Sequence, residues 1–108
     1  MVKISFATDN YIVTYDLSPC EVSAEEIADN SESNFLVKIV TQDSSTKKES
    51  KYQLPNTTLL TKLDYSKIKT EFEKALKKAS KEKGTSEEKI TKLFIAKLAD
   101  KIGYIENN

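Results

Sequence analysis

"TSEEKITKLFIAKLADKIG", residues 85–103, decides how the second half of the chain is read. Ile90, Phe94, Leu98 and Ile102 recur at four-residue steps, with Ile95 and Ala99 beside them. That is the period of one apolar face of an α-helix. Thr85 with Glu88 three residues on is a capping-box pattern. Gly103 stands where a helix's left-handed closing residue belongs. The spacing predicts a helix over about 86–102. Leu93 dissents, projecting about 100° from the centre of the stripe. With Tyr104 and Ile105 in the tail, it marks a small apolar contact patch, for a partner or for a second copy in a homodimer.

Immediately upstream, "KIKTEFEKALKKASKEKG", residues 67–84, has the same rhythm. Tyr65, Ile68, Phe72, Leu76 and Ala79 recur at three- and four-residue steps, with Ala75 alongside. Asp64 is a suitable N-cap and Gly84 a suitable closing residue, so a helix is expected over about 65–83. Lys67, Lys74, Lys78 and Lys81 fall in a narrow arc opposite the apolar stripe. They are the candidate phosphate contacts. The ordinary reading is a wet helix face, because Glu71 and Glu73 sit among the lysines at helical neighbour spacing.

The first half reads as strands. Val2, Ile4 and Phe6 alternate with polar residues, and Tyr11, Val13, Tyr15 and Leu17 do the same. Thr8-Asp9-Asn10 between them is hairpin chemistry. "NFLVKIVTQ" is the most apolar run and "ESKYQL" its expected partner. Ser23 and Glu26 form a capping box for a short helix near 24–29. The expected fold is α+β, one domain over 1–108. A four-stranded antiparallel sheet from the N-terminal half is covered by the two C-terminal helices.

Composition narrows the chemistry. The chain of 108 residues has no His, and its 17 basic residues are all Lys. The commonest general base and metal ligand is therefore missing, as is the bidentate reader of phosphate and guanine. Cys20 is the lone cysteine, with no His to activate it and Glu21 beside it. "DNSESN", residues 29–34, begins like a calcium loop, but Asn34 and Val40 stand where Gly and Glu are required. No catalytic residue, metal or cofactor is expected, and the chain reads as a non-enzyme.

Charge is unevenly divided. Residues 1–46 hold two lysines against eight acids (net −6), and residues 47–108 hold fifteen against nine (net +6). Such asymmetry points to an interaction surface. Its acidic part is Glu21, Glu25, Glu26, Asp29 and Glu32. The expected function is a small protein-interaction module, an adaptor or inhibitor that uses this acidic face on another protein. Heavy use of Lys, Ile, Asn and Ser fits an AT-rich phage or mobile-element gene, hence a host machine as partner. The alternative is weak, sequence-nonspecific nucleic-acid binding by the lysine helix. Against it stand a pI of 6.3 and the lack of aromatics among the lysines. No apolar run is long enough to span a membrane. The opening "MVKISFATDN" is unlike a secretory signal. The expected location is cytoplasmic.

Overall fold

The computed structural model describes residues 2–4, 10–42, 45–98 and 102–107. The elements run β1 (Val2–Ile4), β2 (Tyr11–Ser18), α1 (Ala24–Asp29), β3 (Phe35–Leu36), β4 (Lys38–Gln42), β5 (Glu49–Gln53), β6 (Thr58–Thr61), α2 (Tyr65–Lys83), β7 (Lys89–Lys97) and β8 (Ile102–Tyr104). The class is α+β. A four-stranded antiparallel sheet in the order β3-β6-β2-β7 carries two helices, one of them short.

Alternation along β2 sets the inner face. Val13, Tyr15 and Leu17 are buried, while Asp16 and Ser18 are exposed. Beside them lie Leu59 and Thr61 of β6 and Phe35 of β3, all close to fully buried. Helix α2 packs Ile68, Phe72, Ala75, Leu76 and Ala79 onto this face. Phe72 is its anchor: its ring centroid is 5.0 Å from that of Tyr15 and 5.9 Å, edge-on, from that of Phe35. Burial of such a ring contributes roughly 1.5–3 kcal/mol.

Both helices begin and end much as their local signals dictate. Ser23 accepts the Glu26 N–H at 3.2 Å, and Glu26 accepts the Ser23 N–H at 2.9 Å, closing the capping box of α1. Asp64 occupies the N-cap of α2 but makes no side-chain cap bond. Past α2, Gly84 lies in the left-handed region at φ 74°. Its N–H bonds Lys81 O at 3.2 Å, and the Thr85 N–H bonds Ser80 O at 3.1 Å. Those two bonds make a Schellman motif, which uses carbonyls the helix itself leaves unpaired.

The expected second C-terminal helix is corrected. Residues 89–97 form strand β7, antiparallel to β2, and Ile102–Tyr104 form β8. The strand carries a bulge. Leu17 pairs with Ile90 but Asp16 with Lys92, so Thr91 is an extra residue, and its hydroxyl donates to Asp16 O at 3.1 Å. Ile90, Leu93 and Ile95 therefore share the inner face at steps of three and two, whereas the four-step stripe Ile90, Phe94, Leu98 takes residues from both faces of the strand. Phe94, central to the helical reading, points to the other face and is 62% exposed.

Sheet membership also departs from expectation. β1 pairs with β8, not with β2, through Val2↔Tyr104 and Ile4↔Ile102. The proposed turn at Thr8-Asp9 lies outside the described residues. The run 35–42 divides at Val37: β3 joins β6, whereas β4 pairs with β5 as expected. That hairpin folds Ile39 and Leu54 over Leu60 on the outer face of β6, with Tyr52, Leu98 and Tyr104 at its margin. β6 itself, buried at all four positions, stands where no strand was expected.

Candidate functional site

β7 is an edge of the sheet. Among the described residues no strand pairs with its outer side. An edge strand presents unpaired N–H and C=O groups to whatever approaches. Here that edge borders a groove of about 670 Å³ between β7 and α2. One wall is a stripe of α2, comprising Lys69, Glu73, Leu76, Lys77 and Ser80. The other is the unbroken run 87–93, so the chain itself, not isolated side chains, lines the groove.

The groove exists because α2 is centred over β2 and β3, as its ring contacts show. On that side of the sheet Val13 and Leu59 are completely buried. Ile90, Leu93 and Ile95 of β7 remain only half-buried. The floor is therefore apolar and the rim carries Lys69, Lys77, Lys89 and Lys92. All four are exposed, and none belongs to the ion pairs among the described residues. The Ser80 hydroxyl is buried at this wall with no hydrogen-bond partner.

The groove's end is fixed by Glu88. Its carboxylate accepts the N–H groups of Cys20 at 2.9 Å, Glu21 at 3.0 Å and Val22 at 3.4 Å. Cys20 has φ 64°, and its two successors extend the concave row of amides that the buried carboxylate fills. Glu88 is therefore consumed structurally. Nearby, burial first, and then the Cys20 and Glu88 charges, push the Tyr15 hydroxyl far above the usual phenol range.

The acidic residues singled out from sequence are brought together around α1, directly beside α2. Glu26 pairs with Lys83 at 3.0 Å and Glu32 with Lys78 at 3.4 Å. Lys83 also donates to the Glu21 carbonyl. The Ser23 N–H and the Lys83 ammonium hold the Glu26 carboxyl below the usual carboxylate range. Glu21, Glu25 and Asp29 remain exposed. The acidic and basic halves of the chain thus meet within the molecule.

On the lysine arc, Lys67 and Lys81 are exposed, Lys74 pairs with Glu71 at 3.4 Å, and Lys78 is the partner of Glu32. The apolar trio is dispersed. Leu93 packs against the main core at the groove, whereas Tyr104 joins the second cluster, its ring tilted against that of Tyr52 with centroids 5.1 Å apart. The Tyr104 hydroxyl reaches Gln53 O at 2.9 Å, and Ile105 is 67% exposed. The sequence reading missed the groove because it placed 86–102 in a helix. Leu93, off the helical stripe, was the signal that could have exposed it.

Among the described residues no three metal-ligating side chains gather, and no helix is long and apolar enough to cross a membrane. Comparison with protein-family models, curated proteins and solved structures gave no match.

Proposed function

We propose that this chain is a small non-enzymatic protein-interaction module, an adaptor or inhibitor, and that it meets its partner along the outer edge of β7. One observation carries the reading: among the described residues the outer side of the nine-residue β7 is unpaired, beside an apolar-floored groove. Strand addition to such an edge supplies main-chain hydrogen bonds, while neighbouring pockets sort the side chains.

The acidic face is the weaker contact surface in this reading, because Glu26 and Glu32 already serve Lys83 and Lys78. The lysine arc is weaker for nucleic acid for the same reason, since Lys74 and Lys78 are likewise paired.

The test is to pan a displayed library of random seven-residue peptides on the protein, then map the selected peptides by amide chemical shift. Shifts concentrated on Lys89–Ile95 support the reading. Shifts confined to α1 and its acidic surroundings, or no selection at all, overturn it.

A further inference from the structure

We infer that the occupant of the α2–β7 groove is an extended acidic segment of another protein, added to β7 as a fifth strand. This rests on the reading of β7 as the docking edge and names the chemistry of what docks there.

Charge at the groove favours an acidic occupant. Four exposed lysines, Lys69 and Lys77 on α2 with Lys89 and Lys92 on β7, stand on both sides of the groove. Of the three acids that border it, Glu88 is already occupied by backbone N–H groups. With Glu73 and Glu87 that makes three acids against four lysines, so cations prevail at the rim by one charge. A carboxylate-bearing segment meets complementary potential, and a basic one meets repulsion.

The same lysines disfavour a second copy of the chain as the occupant. If β7 paired with β7 of another molecule, Lys89 and Lys92 would be brought among the same lysines of their counterpart. Like charges facing across strands destabilise a pair, and lysines on an edge are a common guard against edge-to-edge association. The residues that repel a second copy are the ones that select an acidic segment.

Side-chain direction sets the pattern of the occupant. A strand added beside β7 sends alternate side chains to opposite faces. One set enters the groove over Leu76, Ile90 and Leu93, and so is apolar. The other lies on the outer face beside Lys92 and the exposed Phe94. Acidic residues belong there and at the ends of the segment. The ligand is therefore an alternating apolar–acidic stretch of about five to seven residues, at roughly 3.4 Å per residue.

The test uses the full chain and a labelled heptapeptide alternating valine and glutamate, titrated by fluorescence anisotropy. Saturable binding is expected. It should weaken about tenfold or more when alternate peptide nitrogens on the pairing edge are methylated, because main-chain bonds are lost. Methylation of the opposite edge should leave it unchanged. Lys77→Glu with Lys92→Glu should weaken it by about tenfold, with thermal stability unchanged because both side chains are exposed.

The controls separate the possible failures. If a valine–lysine or valine–serine peptide binds as well and protects the β7 amides, the acidic partner is overturned and the docking edge stands. If no peptide perturbs β7, both fall. A single-stranded oligonucleotide that binds in the same groove and is lost with the same lysine reversals overturns the peptide in favour of nucleic acid. A dimer with β7 protected in the absence of peptide overturns it in favour of a second copy.

Discussion

The Glu88 carboxylate accepts the Cys20 N–H at 2.9 Å, joining residues 68 positions apart in the chain. Through Glu21 and Val22 it also caps the next two amides, and so fixes the start of β7 to the turn after β2. Removing this acceptor leaves the buried Val22 N–H unpaired and the part-buried Cys20 and Glu21 N–H groups without their protein partner. Glu88→Ala is expected to destabilise the fold by roughly 3 kcal/mol. Chemical denaturation measures this, and an unchanged midpoint would remove Glu88 from its structural role.

Gly84 offers a second, purely conformational test. A Cβ placed there meets nothing within 4 Å, so space is not the issue. The left-handed φ of 74° is. Gly84→Ala should lower stability by about 1–2 kcal/mol, the strain of an L side chain in that region. Equal thermal midpoints for the two proteins would contradict the Schellman ending of α2.

Acid should loosen α1 from α2. The Glu26 carboxyl is held low by the Ser23 N–H and then by Lys83. Its folded value lies below its unfolded one, so as pH falls the unfolded chain takes up the proton first. The stabilisation is therefore complete above the ordinary carboxylate range and disappears as pH drops through the lowered folded value. Glu26→Gln should flatten the acid limb of the stability–pH curve. An identical acid limb in the variant would contradict the ion pair's contribution.

The two candidate protein-binding surfaces respond to opposite charge changes. Glu21→Lys with Glu25→Lys and Asp29→Lys should leave binding of the acidic peptide unchanged or modestly stronger, because these residues surround α1 rather than line the groove. A loss of binding of about tenfold or more on this reversal would transfer the contact to the acidic face.

Local signals in the sequence were reliable where a single element obeyed them. The Ser23–Glu26 box gave α1, and the stripe from Tyr65 to Ala79 with Gly84 gave α2. The β4–β5 hairpin followed from its alternating partners. Misreading came where tertiary pairing decided. Ile90 faces inward, Phe94 is exposed and Leu98 joins the second cluster, so the four-step stripe drew on both faces of a strand and imitated one face of a helix. The Thr85–Glu88 pattern resembled a cap, yet Glu88 serves amides distant in sequence. β6, short and apolar, has no period to betray it, and its burial comes from sitting between β2 and β3. The groove was illegible for the same reason: it is made by α2 and β7 together, and neither contains it alone.

Residue-resolved amide exchange over Lys89–Lys97, without and with the valine–glutamate peptide, reads out β7 as an open docking edge. In the free protein, protection should alternate along the strand, because β2 engages every other residue of an antiparallel neighbour and the outer edge is open. Adding the peptide should protect the exchanging amides between Lys89 and Ile95. Uniform protection before any peptide is added, as a helix or an occupied edge would give, contradicts the account; so does a peptide that binds without slowing exchange in β7.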